Sequence, residues 1–248
     1  MRCFVEPSEL ARDELDLPAE EAHHLVHVLR AREGQSIVLC DGAGGLADAR
    51  LVRIERNRVK ARVISRRETS RPYPQVSLFQ GMVRGQKMDW IIQKSTELGA
   101  SELRPVESSQ AVARLPDARK TGRMERWRKI ALNAARQCGA GWIPDIYPAE
   151  SMTSAIKDAG PYSLLLLCDP EEKSRHISQL FRPNAGGQIS RIGVIIGPEG
   201  DFSPDEKETA TRAGAVSVNL GPMTLRAETA ALFVLSAIHY EFGCNSVH

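Results

Sequence analysis

The sequence predicts an α/β protein in which a parallel sheet with helices on both faces follows a small β unit. In residues 35–64 apolar side chains tend to recur at every second position, which is typical of half-buried strands. From residue 75 onward, short apolar runs alternate with helix-length segments, as in parallel sheets. Residues 191–240 show the order strand, Gly-Pro turn, helix twice, and such loops meet at the edge where open α/β sheets bind ligands.

The first 70 residues are predicted to form the β unit, with a strand over 1–5 and a helix over 18–30. Strands follow over 36–40, 46–54 and 59–64, with a glycine-rich connection at 41–45. Within residues 58–63 the alternation places Arg58, Lys60 and Arg62 on one face and apolar residues on the other. The pattern fits a solvated face and an RNA-facing one equally well.

A proline-interrupted linker at 70–74 separates two predicted domains, residues 1–70 and 71–248. The second domain is predicted to contain six strands and six helices. The strands cover 75–80, 102–106, 143–147, 163–168, 191–196 and 216–220. The helices cover 86–98, 117–138, 151–159 and 175–181, followed by one that begins after the N-cap Ser203 and one that ends near 242.

Composition excludes several classes of protein. The chain has 248 residues, 42% hydrophobic and 26% charged, which suits a globular protein with a substantial core. Its apolar runs are far shorter than the ~20 residues that span a bilayer, and no signal-like segment is present, so a cytoplasmic location is expected. The cysteines are scattered and lack a C-x-x-C pair, which argues against disulfides or zinc: Cys3, Cys40, Cys138, Cys168 and Cys244.

No metal site is expected at His23 and His27, because no carboxylate or cysteine completes a ligand set near them. The fingerprints of dinucleotide-binding proteins, P-loop enzymes and serine hydrolases are also absent.

Basic residues are concentrated in two stretches. Residues 50–71 contain nine basic and two acidic residues, the electrostatic pattern of a surface that binds a polyanion such as RNA. The second stretch surrounds the start of the long helix, where a solvated surface is the alternative: Arg114, Arg119, Lys120, Arg123, Arg126, Arg128 and Lys129.

Charged residues lie in or directly after the two Gly-Pro loops, where they have no role in packing an apolar core. Glu199 lies in the first loop, while Arg226 and Glu228 follow the second. The loops are therefore either a ligand site or tight turns pinned by an ion pair of Arg226 with Glu228 or Glu199.

Five motifs, in the same order along nearly the whole chain, resemble those of the ribosomal RNA small subunit methyltransferase E family of the SPOUT class. They are His27-Val28-Leu29-Arg30, Gly85-Gln86-Lys87-Met88-Asp89, Gln93-Lys94-Ser95-Thr96-Glu97-Leu98-Gly99, Ile196-Gly197-Pro198-Glu199-Gly200, and Leu220-Gly221-Pro222 with Leu225-Arg226-x-Glu228-Thr229-Ala230. The resemblance implies a PUA-like β-barrel over residues 1–70, then a SPOUT-type domain with a trefoil knot. It also implies a homodimer that uses S-adenosyl-L-methionine to methylate N3 of a uridine in 16S ribosomal RNA.

The resemblance also implies roles for individual residues. Arg226 is the expected cation beside the base anion, and Glu228 its orienting partner or a proton acceptor. The expected cofactor contacts are Leu166, Cys168, Ile196, Gly197, Pro198, Glu199, Gly200, Leu220, Gly221, Met223 and Leu225. The expected RNA contacts are Arg30, Arg58, Lys60, Arg62, Arg84, Lys87, Lys94, Asn133 and Gln137.

The chain departs from the family pattern at five positions: Arg136 replaces Glu, Ala140 and Met223 replace Arg, Ala227 replaces Thr, and Asp201 replaces a second Gly. Two other functions remain open at this point. One is a SPOUT-type methyltransferase that acts on another base or on a ribose hydroxyl, and the other is a non-catalytic RNA-binding factor in ribosome assembly.

Overall fold

The computed structural model describes residues 1–55, 58–110, 117–181 and 189–243, with the backbone alone for 117–121. Arg56, Arg114 and Cys244 lie outside these residues, and the side chains of Arg119 and Lys120 are not described. The chain divides into two compact units. The first comprises Met1–Arg71 and Ala135–Ile143, and the second comprises Pro72–Ala134 and Pro144–His248.

The first unit is built on a five-stranded sheet with the order β1-β3-β4-β5-β2. All neighbouring strands are antiparallel except β1 and β3, which are parallel. Its elements are β1 (Arg2–Phe4), α1 (Pro7–Leu10), β2 (Glu14–Asp16), α2 (Ala19–His23) with a π-helical turn over His24–Val28, β3 (Ser36–Cys40), β4 (Gly45–Glu55) and β5 (Arg58–Glu68). The short elements α1 and β2 are absent from the sequence prediction because three or four residues carry no readable periodicity.

The alternation predicted for β5 is present. Val59 and Ala61 are fully buried in the core of the unit, whereas Arg58 and Arg62 are exposed and Lys60 is half-buried. The period of two therefore separates a cationic face from an apolar one.

Residues Ala135–Ile143 belong to the first unit, although the sequence assigns them to the second domain. Backbone hydrogen bonds explain the difference: the Ile143 amide donates to Gly42 O at 2.9 Å, and the Gly44 amide donates to Gly141 O at 3.1 Å. Arg136 also pairs with Glu21, whose side chain is only 3% exposed. Arg136 thus neutralises a buried carboxylate, which gives this departure from the family pattern a structural role.

The second unit is built on a parallel sheet with the order β12-β10-β11-β6-β7-β8, and β9 also pairs with β7. Its strands are β6 (Gln75–Gly81), β7 (Glu102–Glu107), β8 (Asp145–Ile146), β9 (Glu150–Ser151), β10 (Leu164–Cys168), β11 (Arg191–Ile196) and β12 (Val216–Val218). Its helices are α3 (Lys87–Glu97), α4 (Asp117–Cys138, of which the residues from Ala135 onward belong to the first unit), α5 (Met152–Ala159), α6 (Pro204–Arg212) and α7 (Ala227–Ile238), followed by a π-helical turn over His239–Gly243. The predicted parallel α/β architecture is confirmed.

The helix predicted over 175–181 is wrong, because only a 3₁₀ turn forms over Ile177–Gln179. The backbone before this turn bonds to a neighbouring segment instead of to itself. The Asn219 amide donates to Arg175 O at 2.9 Å, and the Ile177 amide donates to Asn219 O at 3.1 Å. These bonds require an extended conformation, which excludes a helix at this point.

Helix α6 begins where the sequence predicts, directly after the N-cap Ser203. The Ser203 hydroxyl accepts a hydrogen bond from the Glu206 amide, and the Glu206 carboxylate accepts one from the Ser203 amide, with Pro204 as the first helical residue. This capping box fixes the position at which α6 begins. None of the described helices is both long and apolar enough to cross a bilayer.

Candidate active site

An open cleft of about 870 Å³ lies within the second unit, where β10, β11 and β12 end. Three loops form it: the segment after Cys168, the turn after Ile196 and the long connection after β12. Charged residues that line it include Lys87, Asp169, Glu199, Asp201 and Arg226. The carboxyl edge of a parallel sheet is where such folds bind ligands, so this cleft is the candidate active site.

Most of the residues predicted to contact a cofactor line this one cleft: Cys168, Ile196, Gly197, Pro198, Glu199, Leu220, Gly221, Met223 and Leu225. Leu166 and Gly200 do not. Leu166 is fully buried in the middle of β10, where it pairs with Val194 and Val216. Its side chain contributes to the core under the cleft rather than to the cleft wall.

The Gly-Pro turn after Ile196 depends on a glycine that the sequence does not predict as a site residue. Gly81 ends β6, and a Cβ added to it would lie 2.5 Å from the backbone nitrogen and from Cδ of Pro198. Only glycine permits this approach between the end of β6 and the Gly-Pro turn after β11. The sole sequence signal is its position at the end of a buried apolar strand.

Lys87 connects two carboxylates beside the cleft. Its Nζ lies 3.0 Å from Glu199 Oε1 and 3.5 Å from Glu228 Oε1. A hydrogen bond to Glu199 raises the pKa of Lys87, so the amine stays charged. Partial desolvation opposes ionisation of Glu199, but hydrogen bonds from Lys87 and from backbone amides hold its pKa below the ordinary value. The sequence predicts Lys87 as an RNA contact, whereas the structure places it in the cleft wall.

Glu199 and Glu228 differ in what they face. Glu199 lines the cleft and its side chain is 39% exposed. Glu228 does not line the cleft, its side chain is 16% exposed, and its Oε2 is buried without a hydrogen-bond partner among the described residues. Glu228 therefore lies behind Lys87 as a partly buried countercharge.

Arg226 lines the cleft and is exposed to solvent. It is the N-cap residue of α7, and its side chain makes no capping hydrogen bond. Within the part of the chain that the structure describes, its guanidinium forms no ion pair, so the proposed pairs with Glu228 and Glu199 are not found. A cation at a cleft wall that is not neutralised by a neighbour is free to meet a negative charge on a ligand.

The predicted RNA contacts are divided between the units. Arg30, Arg58, Lys60, Arg62 and Gln137 belong to the first, and Arg84, Lys87, Lys94 and Asn133 to the second. Lys94 pairs with Glu97 at 2.8 Å, which satisfies part of its charge locally.

The basic cluster at 50–71 is less cationic than its sequence indicates. Within the part of the chain that the structure describes, four of its arginines pair with carboxylates: Arg53 with Glu55, Arg62 with Glu14, Arg66 with Asp13 and Arg67 with Asp48. Three of these carboxylates lie outside the cluster in sequence, so a local count of charges could not include them.

The thiol of Cys168 lies in the cleft wall and is almost fully buried. Burial raises its pKa well above the ordinary value, so the group stays a neutral thiol at pH 7. It therefore contributes an apolar contact and does not compete as a nucleophile.

Comparison with known proteins identifies both parts of the chain. Residues 69–239 match the model of an RNA methyltransferase domain, and residues 17–64 match that of an RNA methyltransferase PUA domain. The ribosomal RNA small subunit methyltransferase E of Bacillus subtilis is 31% identical over 246 residues, which cover 97% of this chain and 96% of that protein. The chain belongs to the ribosomal RNA small subunit methyltransferase E family.

Solved structures agree with membership of the methyltransferase E family. A methyltransferase E of Neisseria gonorrhoeae, solved bound to S-adenosylmethionine, has a TM-score of 0.83 and 30% identity, with 96% of each chain covered. A Legionella pneumophila methyltransferase, also solved with S-adenosylmethionine, has a TM-score of 0.83 and 26% identity, again with 96% of each chain covered. The PUA-like domain and the α/β methyltransferase domain expected from the motifs are thus confirmed.

Proposed function

We propose that this protein transfers the methyl group of S-adenosylmethionine to N3 of a uridine in 16S ribosomal RNA. The observation that carries the proposal is the cleft itself. Its wall includes two Gly-Pro loops and Arg226, which forms no ion pair with the described residues, in a chain that belongs to the methyltransferase E family. Relatives with the same fold are solved with this methyl donor.

The residues present suit such a donor. The turns after β11 and β12 offer backbone hydrogen-bonding groups at close range, because Gly197 and Gly221 lack side chains. Cys168 adds a neutral apolar surface. A volume of about 870 Å³ lies within the range of sites that hold drug-sized ligands.

S-adenosylmethionine supplies a methyl carbon bonded to a positively charged sulfur. The protein's own task is to hold the uracil in line with that carbon and to help its N3 proton leave. We assign Arg226 to stabilise the negative charge that develops on the uracil ring. Of the two carboxylates that Lys87 holds, Glu199 faces the cleft and is the better placed to accept the proton, with Glu228 orienting Lys87 from behind.

The direct test of function is to identify the modified nucleotide. Purified protein is incubated with S-adenosylmethionine and small ribosomal subunits from a strain that lacks the enzyme, and the RNA is digested and analysed by mass spectrometry. A single 3-methyluridine in 16S RNA is expected. A methyl group on another base or on a ribose would refute the N3 assignment, and no methylation by protein that binds the donor would favour a non-catalytic factor. We also expect the protein to act in the cytoplasm, because its proposed substrate is ribosomal RNA.

For RNA binding, we expect the cations of β5 that form no ion pair with described residues to matter more than those that do. Replacing both Arg58 and Lys60 by Gln should lower the slope of log affinity against log salt by about 1 to 2, as expected for two lost phosphate contacts. Arg62→Gln is the matched control from the same strand, since Glu14 already pairs with Arg62 at 2.7 Å. Filter binding across a salt series measures both. Equal slopes for wild type and the double variant would contradict the assignment.

We further propose that the protein is a homodimer formed through a knotted second unit. The surface carries large apolar side chains on its last helical segments and on α3: Trp90 and Phe233 are each 41% exposed, and Tyr240 is 76% exposed. Helices α3 and α7 pack against each other, which brings their surfaces together. Exposed aromatic residues of this kind are typical of interfaces.

Phe233→Glu is expected to convert the dimer to monomer, because a charge would be buried at the interface. Ile64→Glu serves as the control, since Ile64 is an apolar residue of the first unit with 61% exposure. Sedimentation velocity over a concentration series distinguishes the species. A dimer that persists in Phe233→Glu, or one that Ile64→Glu also dissociates, would contradict this interface.

A further inference from the structure

Lys207 joins two walls of the cleft from behind. Its Nζ lies 2.9 Å from Asp169 Oδ1, in the segment after β10, and 2.8 Å from Asp201 Oδ2, in the turn after β11. Both carboxylates line the cleft, whereas Lys207 itself lies on α6. One ammonium group thus bonds to two loops that follow adjacent strands, and these are two of the loops proposed to surround the methyl donor.

This contact is more enclosed than a surface ion pair. The side chains of Lys207, Asp169 and Asp201 are 17%, 13% and 30% exposed. Lys207 also approaches Glu171 at 3.3 Å, but that side chain is 83% exposed, so solvent screens the contact. Hydrogen bonds and the charges of the two aspartates outweigh desolvation and raise the pKa of Lys207, so the ammonium form persists across the physiological pH range.

Asp201 adopts a backbone conformation that does not favour a side chain. Its φ is +61°, in the left-handed region where glycine is the residue without a steric penalty. Its side chain makes two contacts that glycine would lack: Oδ1 accepts a hydrogen bond from the Phe202 amide at 2.8 Å, and Oδ2 pairs with Lys207. The backbone cost and these contacts together indicate that the carboxylate at this position has a role.

We propose that Lys207 is a positioning residue for the methyl donor, and that Asp201 and Asp169 are the two contacts through which it sets the separation of the loops after β10 and β11. The inference rests on the proposed function, since it requires that the donor occupies this cleft. Without Lys207, two carboxylates that line the same cleft would repel each other, and the loops would lose their fixed spacing before the donor binds. The donor would then have to order them, which lowers its affinity.

Three variants separate positioning from general stabilisation. Lys207→Gln should weaken S-adenosylmethionine binding at least about tenfold, with partial recovery in Lys207→Arg, because either cation can bridge two carboxylates. Asp201→Gly should weaken binding several-fold while leaving the melting temperature nearly unchanged, because relief of the left-handed backbone offsets the lost ion pair. Affinity and stability would then change independently.

The two residues should also be coupled. In the Asp201→Gly background, Lys207→Gln should weaken binding by a smaller factor than it does in the wild type, as in a double-mutant cycle of interacting residues. Arg212→Gln is the matched control on the same helix, since Glu208 is the one ion-pair partner of Arg212 among the described residues and the Arg212 side chain is 76% exposed. Isothermal titration calorimetry with S-adenosylmethionine and thermal unfolding are performed on the wild type, on the three single variants of Lys207 and Asp201, on the double variant and on Arg212→Gln.

The outcomes distinguish the inference from the function on which it rests. Wild-type affinity in both Lys207→Gln and Asp201→Gly overturns the inference and leaves the proposed function intact. Losses of affinity that simply follow losses of melting temperature also overturn it, because they show a structural role only. If the wild-type protein does not bind S-adenosylmethionine, the proposed function fails and the inference fails with it.

Discussion

Arg226→Ala is expected to lower methyl transfer at least about 100-fold, the usual effect of removing one group that stabilises charge in a transition state. The affinity for the methyl donor should stay within a few-fold of the wild-type value, because the wall of the cleft consists mainly of other residues. The helix that Arg226 caps should be unaffected: its side chain makes no capping bond, and the contact with Ala230 uses the backbone carbonyl at 2.8 Å. Single-turnover methyl transfer and calorimetric titration of the donor measure the two quantities.

Two controls make this result specific to the position of the charge. Arg212→Ala, on the exposed face of α6, should retain normal turnover. Arg226→Lys should recover only part of the rate, because an ammonium group keeps the charge but lacks the planar, multiple donors of a guanidinium. Near-normal turnover in Arg226→Ala would remove Arg226 from the mechanism and favour Lys87, the cation paired with Glu199, as the stabilising group.

The sequence predicts what depends on local pattern. Four elements have ends that differ by at most one residue from the prediction: the strands over 75–80, 102–106 and 191–196 and the helix over 117–138. Buried parallel strands and capped helices carry their own signals in the chain, such as the Ser203 and Glu206 capping box. The resemblance of motifs then correctly predicts a PUA-like domain followed by a methyltransferase domain.

Features that depend on distant partners could not be predicted in this way. In the sequence, nothing distinguishes Lys87 from other cations on helices. The fold brings it to Glu199 and Glu228, which are more than 100 residues away in sequence. Lys207 likewise resembles a solvated helical residue until Asp169 and Asp201 are seen beside it. Arg136 meets Glu21 for the same reason. Side chains take their roles from tertiary contacts, which periodicity does not encode.

Gly81→Ala is expected to weaken donor binding by at least about tenfold, and to lower stability by about 1–3 kcal/mol, the usual range for overpacking a tight site. The added methyl group would lie 2.5 Å from the Pro198 nitrogen and 2.9 Å from the Gly197 carbonyl carbon. Backbone atoms cannot rotate away as a flexible side chain can, so the Gly-Pro turn must move, and that turn lines the cleft. Calorimetric titration with S-adenosylmethionine and denaturant unfolding measure the two effects.

Gly122→Ala provides a matched control for the same chemical change. A Cβ at Gly122, which lies in α4, meets nothing within 4 Å among the described residues, so this variant should gain rather than lose stability, by less than about 1 kcal/mol. Its donor affinity should equal that of the wild type. If Gly81→Ala bound the donor as tightly as Gly122→Ala does, close contact between β6 and the turn after β11 would not be needed for the site. The Gly-Pro turn would then tolerate displacement, and its backbone would not be placed for a close-fitting ligand.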